Sequence, residues 1–207
     1  WEYDDDLASL ISYGAIMDYW NGNHLKEEGK TYLTIDVARK GKDKTVMRVW
    51  RGWTCVHRFE MGRSLLTEVV EQAQRLQGEY AITNSCTVAD EDGVGGGVVD
   101  FLGCDGFINN SKAKYKENYD NLKSQCSIRM AKRIEERGIV ERCKDTSIIE
   151  LVSEEMEQVK AKDIDKDGKM GIVSKDKVKE QIGRSPDDWD SIMMREYFDL
   201  LGDFWIS

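Results

Sequence analysis

Residues Tyr32–Thr45, YLTIDVARKGKDKT, hold an apolar run that ends on one aspartate and then breaks into a charged loop. Tyr32, Leu33, Ile35 and Val37 are mostly aromatic or β-branched and suit a strand, with Thr34 between them. Asp36 is the odd residue. A carboxylate inside so apolar a strand is costly unless something positive meets it. Two partners are open from these residues alone: a divalent metal, or Arg39 or Lys40 just downstream.

Outward from this stretch, residues 32–38, 44–51 and 53–60 read as three consecutive strands, separated by RKGKD and by the Arg51-Gly52 turn, and predict an antiparallel meander. A helix is expected over about 64–77, with Leu65, Leu66, Val69, Val70, Ala73 and Leu76 on one face. Tyr80–Val88 reads as a fourth strand, parallel to the first after the crossover. Val98, Val99, Phe101 and Leu102 open a further helix, and Phe107–Ile108 gives a short fifth strand. A three-stranded meander followed by α, β, α, β is the order of a ribonuclease H-like domain: an α/β fold, with a mixed sheet of about five strands and flanking helices.

Residues 1–30 form a lead-in, acidic at first and then spaced for one or two helices, ending in a polar linker; 31–207 form the main domain. On the far side, helices are expected at about 117–137, 147–161 and Lys175–Ile182. A closing helix over Asp187–Leu200 follows the Ser185-Pro186 start signal.

A chain of 207 residues suffices for one full core, and its net charge of -9 speaks against a non-specific nucleic-acid coat. It does not exclude a DNA enzyme, because carboxylates gathered at a metal site are neutralised there. The five cysteines at 55, 86, 104, 126 and 143 include no CxxC pair, and with only two histidines, His24 and His57, no zinc site or disulfide framework is suggested. Reduced, mostly buried thiols are the expectation. No apolar run approaches bilayer length, and no charged-then-apolar leader opens the chain. The absence of an initiator Met before Trp1 suggests a piece of a longer protein.

Two more acidic groups follow Asp36. In VADEDGVGGGVVD, Val88 to Asp100, a strand ends and Asp90 emerges, with Glu91 and Asp92 beside it, while Gly93, Gly95, Gly96 and Gly97 permit a tight turn into a helix. Such a turn either cradles phosphate or simply connects. In SPDDWDSIMM, Asp187 and Asp190 are three apart and share a helix face, while Asp188 points elsewhere. If Asp36, Asp90, Asp187 and Asp190 converge, their hard oxygens select magnesium or manganese, and two such ions about 4 Å apart would activate a water against a phosphodiester. Asp163-Ile164-Asp165-Lys166-Asp167-Gly168 matches the start of an EF-hand, but position twelve is Ser174 where a glutamate is needed, so a polar hairpin turn or surface loop is preferred to calcium binding.

The series IDVARKGKDKT, VADEDGVGGGVVD and SPDDWDSIMM, in this order, resembles the carboxyl-terminal nuclease domain of the large terminase subunit of tailed bacteriophages, from about Tyr32 to Phe198. The resemblance implies a metal-dependent endonuclease that cuts concatemeric double-stranded DNA in the host-cell cytoplasm, using two Mg2+ or Mn2+ ions. It places the catalytic aspartates at Asp36, Asp90 and, in the closing cluster, Asp190, with Asp187 as a further metal ligand and Asp43 as an auxiliary acid. It also implies as partners a terminase ATPase domain preceding residues 1–30, a small terminase subunit and a portal protein. The Walker motifs of that ATPase do not occur in this chain, so no ATPase activity is expected of it. Lys112, Lys114, Lys116 and Lys123 follow the fifth strand and are candidate DNA contacts. Two other readings stand beside this one: an actin-like or sugar-kinase phosphotransfer domain, and a non-catalytic portal or prohead docking module.

Overall fold

The structure, a computed structural model, describes residues 9–38, 43–162 and 168–202. The meander is present as β1 (Thr31–Asp36), β2 (Thr45–Arg51) and β3 (Thr54–Met61), with Thr34 opposite Arg48 and a register shift between Val49 and Trp50. β4 (Thr87–Asp90) lies parallel to β1, and β5 (Asp105–Phe107) parallel to β4. A sixth strand, β6 (Val140–Glu141), pairs in parallel with β3, and the sheet runs β5-β4-β1-β2-β3-β6. The expected count of five strands falls short by β6, whose two residues are too short to show a period.

β1 is buried on both faces. Leu33, Ile35 and Val37 join Met47, Val49 and Ala89 beneath α2 (Leu66–Tyr80) and α3 (Gly95–Leu102). Thr34 and Asp36, at the alternate positions, belong to the opposite face. On that side α1 (Tyr13–Asn21), α4 (Leu122–Glu135), α5 (Thr146–Glu157), α7 (Asp187–Met193) and α8 (Arg195–Gly202) share a core with Trp50, Val88 and Phe107. A two-stranded hairpin, β7 (Ala161–Lys162) with β8 (Gly171–Ile172), precedes α6 (Lys175–Ile182).

Several expected boundaries move, each for a local reason. The helix read over 64–77 continues to Tyr80 and stops where Ala81 turns left-handed, φ 52°, so the strand read from Tyr80 starts only at Thr87. The helix read from 117 begins at Leu122, because the Asn121 side chain accepts from the Ser124 amide at 2.9 Å and caps it there. The closing helix is two helices, α7 and α8, meeting at Met194. Ala15, Ile16, Tyr19 and Trp20 of α1, within the lead-in, lie in the main core. No helix among the described residues is long and apolar enough to cross a membrane.

Candidate metal centre at the ends of the central strands

Ile35 of β1 pairs in register with Ala89 of β4, so Asp36 and Asp90 each stand one residue beyond the last paired position, at the carboxyl ends of adjacent parallel strands. Neighbouring strands lie roughly 4.8 Å apart. Against this edge sits the first turn of α7, with Asp187 and Asp190, and the first residue of α6, Lys175. The Lys175 Nζ lies 2.7 Å from Asp190 Oδ2, 3.2 Å from Asp187 Oδ1 and 3.9 Å from Asp36 Oδ2. Three of the four aspartates therefore share one nitrogen. Asp36, Asp90, Asp187 and Asp190 all line a cleft of about 580 Å³, together with Asp43, Asn109, Lys123 and Lys179.

The electrostatics are those of crowded anions. Burial pushes the Asp36 carboxyl well above the usual carboxylate range; Lys175 opposes this, and the charges of Asp190, Asp187 and Asp90 add to it. Asp90 is pushed up to about 6, first by burial and then by Asp190 and Asp92, with the Asp92 amide pulling the other way. Asp190 is buried too, but the paired lysines Lys123 and Lys175 overcome that and hold it down to about 2. Lys123 Nζ stands 2.6 Å from Asp190 Oδ1 and neutralises that buried oxygen.

A second layer orients the carboxylates. The Asn109 side-chain amide, just after β5, donates to Asp90 Oδ1 at 3.1 Å and to Asp92 Oδ2 at 2.7 Å, and the Asp92 amide donates to Asp90 Oδ1 at 3.1 Å. The backbone amide of Lys44 donates to Asp187 Oδ2 at 3.0 Å. Asp43 pairs with Lys179 of α6 at 3.0 Å. Lys175 and Asn109 were missed in the sequence, where lysine at a helix start and asparagine in a loop are ordinary surface choices, and Lys123, read there as a DNA contact, pairs with Asp190 instead.

The remaining sequence candidates divide. Of the four lysines, Lys123 lines the cleft, while Lys112, Lys114 and Lys116 do not; Lys114 stands over the Tyr197 ring instead. Arg39 and Lys40, the alternative partners for Asp36, lie outside the described residues, as does Asp163–Asp167 of the EF-hand match. Its twelfth position, Ser174, caps α6 by accepting from the Lys177 amide. None of the glycines after β4 lines the cleft. Packing explains two of them: a Cβ on Gly95 would collide with the Asp90 carbonyl, and one on Gly97 with Leu66. Asp188 does turn away, onto Arg48 and Arg58.

As arranged, no three histidine, cysteine or acidic side chains among the described residues are spaced to hold an ion directly. The Lys175 ammonium takes the central position and stands in for the positive charge that these carboxylates require. The donor set nevertheless fits hard divalent cations, being oxygen throughout with no thiolate or imidazole. Lys175 is 36% exposed and sits at the start of α6.

No protein-family model matches the chain, and no curated protein matches it. Solved structures do. The nuclease domain of the large terminase subunit of bacterial virus Sf6 superposes with a TM-score of 0.76 at 18% identity, covering 90% of this chain and 97% of that one. The fold is that of the terminase nuclease domains. A variant of the Sf6 domain solved with manganese aligns with a TM-score of 0.75 at 16% identity, again over 90% and 97%. The large terminase nuclease of thermophilic phage G20c with bound magnesium aligns at 0.58 and 16% identity, over 90% and 95%. The mixed sheet with helices on both faces, expected of a ribonuclease H-like domain, agrees with this terminase nuclease fold.

Proposed function

We propose that this chain is a metal-dependent DNA endonuclease domain of a viral DNA-packaging terminase, acting on double-stranded DNA by two-metal phosphodiester hydrolysis. The observation that carries this is the convergence of Asp36, Asp90, Asp187 and Asp190, from two strand ends and one helix, on one cleft, three of them around the Lys175 ammonium. The fold supports it, and so do its structural neighbours, terminase nucleases solved with manganese or with magnesium.

Asp36, Asp90 and Asp190 would hold the metal ions, with Asp187 beside them. Once bound, Mg2+ or Mn2+ supplies charge neutralisation at the scissile phosphate and acidity to the attacking water. The chain's own residues do the rest. Asn109 and the Asp92 amide fix the direction of Asp90, and the Lys44 amide fixes that of Asp187. Lys123 keeps Asp190 ionised at neutral pH, and Asp43 lies at the cleft edge on Lys179 as the auxiliary acid. Lys175 and Lys179 place positive charge beside the cleft despite the acidic total, where it would meet the DNA backbone. By the same resemblance, the ATPase domain, small subunit and portal protein are its partners, and the host-cell cytoplasm is its place of action.

Incubation of plasmid with the protein and Mn2+, with and without EDTA, tests this. Nicking or linearisation that EDTA abolishes, and that Asp36→Asn and Asp90→Asn both lack, is the expected result. Cutting that persists in both variants contradicts it, and a complete lack of Mn2+-dependent cutting by the wild type favours a docking module.

A further inference from the structure

The face of α7 turned away from the cleft carries a buried charge network. Arg48 of β2 is 0% exposed. Its Nε donates to Glu141 Oε2 at 3.0 Å, its Nη2 to Asp188 Oδ1 at 2.7 Å, and its Nη1 to the Asp188 carbonyl at 3.2 Å and to Ser191 Oγ. Arg58 of β3 grips the same carboxylate from the other side, Nε to Oδ1 at 2.7 Å and Nη2 to Oδ2 at 2.9 Å. The Tyr19 hydroxyl donates to Glu141 Oε2 at 2.7 Å and closes the network onto α1.

Stability alone is a poor reason for such a network. Buried ion pairs lose much of their attraction to desolvation, and apolar residues of similar volume often do as well or better. What a bidentate guanidinium does supply is direction, because a carboxylate held by the Arg58 fork and by one further N–H of Arg48 has one orientation. Direction is what α7 needs. Its start at Pro186 has no side-chain cap, and the Trp189 amide is satisfied instead by Glu155 Oε2 of α5 at 2.8 Å. Asp188 lies between Asp187 and Asp190 on the same short helix. A rotation of α7 by about 20° would carry each carboxylate through roughly 2 Å, given a helix radius with side chains of about 5–6 Å, and displacement of that order at a reacting site is costly.

Building on the metal centre proposed above, we infer that Asp188, clamped by Arg48 and Arg58, is a positioning residue for cleavage. It sets the rotation of α7 and thereby the separation of Asp187 and Asp190 from Asp36 and Asp90. It touches no substrate and acts through the helix that bears the two ligands.

The test measures Mn2+ binding directly, by the electron paramagnetic resonance of free Mn2+, alongside Mn2+-titrated DNA cleavage and thermal melting, for Asp188→Asn, Arg58→Gln and Arg58→Lys. In Asp188→Asn the half-saturating Mn2+ concentration is expected to rise about ten- to a hundredfold, the usual effect of losing a group that orients a ligand. A smaller rise is expected in Arg58→Gln, recovered in part by Arg58→Lys. A lower melting temperature with unchanged Mn2+ half-saturation in both Asp188→Asn and Arg58→Gln overturns the inference, leaving the network a packing feature. If Asp188→Asn does not fold, Arg58→Gln decides on the same criterion. Wild-type protein that binds Mn2+ without cutting DNA would end the nuclease assignment yet leave positioning to be judged from the binding data, whereas wild-type protein that binds no Mn2+ ends both.

Discussion

At Asp36 the chain places a carboxylate where burial and three other aspartates all oppose its charge, and, among the described residues, Lys175 is the main group that favours it. Such a residue weakens the metal-free fold and strengthens the metal-bound one. Asp36→Asn is therefore expected to raise the melting temperature without metal, to abolish the Mn2+-induced rise, and to lower cleavage at least about 100-fold, since losing a ligand costs more than losing its support; calorimetry and plasmid cleavage on one preparation check all three. Lys175→Ala has the opposite signature. Removing the shared cation leaves Asp36, Asp187 and Asp190 facing one another, so the metal-free protein should melt lower while its Mn2+-induced shift grows. An unchanged shift would mean that Lys175 does not compete for the position. At this scale the acids were legible because a carboxylate ending an apolar strand, or three in four positions beside Ile-Met-Met, stands out from its surroundings. Lys175 and Asn109 do not stand out, and become meaningful only once the topology brings 109 and 175 to one strand edge; Lys123 was singled out, but as a DNA contact and not as the partner of Asp190.

Among the elements, the turn from β4 into α3 carries the tightest steric demand. The Cβ position of Gly95 falls on the Asp90 carbonyl, so the strand end that presents Asp90 and the helix start are in backbone contact. Gly95→Ala should cost about 1–3 kcal/mol or more, as overpacking against an unyielding neighbour does, measured by denaturant unfolding, and should lower cleavage beyond what reduced stability explains. The glycines read well as a turn but not as a phosphate cradle, because a sequence does not say whether glycine serves a ligand or a neighbouring carbonyl. The meander was legible from its β-branched and aromatic residues and the turns between them. β6 was not, since Val140–Glu141 pairs only through Thr54 and Cys55 of a distant strand. Tyr80 was misassigned for a related reason: it ends a helix whose buried positions Val69, Ala73 and Leu76 lead to it at helical spacing, and apolar Ile82 just beyond imitates a strand.

Across the described residues, burial raises four acids in the same direction: Asp36, Asp105, Asp90 to about 6 and Glu155 to about 8. A carboxyl raised on folding contributes stability while protonated and loses it as pH climbs through its folded value. Asp188 and Asp190, both held to about 2, work in the opposite sense but are already ionised in both states above about pH 5. The metal-free protein should therefore lose stability from about pH 5 to 8. Mn2+ at a hundredfold excess over its dissociation constant should restore roughly 2.7 kcal/mol at the upper end, by mass action on the folded state. Melting curves across that range, with Mn2+ and with EDTA, check it, and a metal-free stability that rises with pH would contradict it. The order of the elements let the architecture be read, because three strands then alternating α and β leave few topologies for one core.

The most direct measurement is anomalous diffraction at the manganese edge from a crystal soaked in Mn2+. Two peaks about 4 Å apart, bounded by Asp36, Asp90 and Asp190 with the Lys175 ammonium displaced from among them, are the predicted result. Density elsewhere, or none while Lys175 keeps its contacts with Asp187 and Asp190, would contradict the proposed centre.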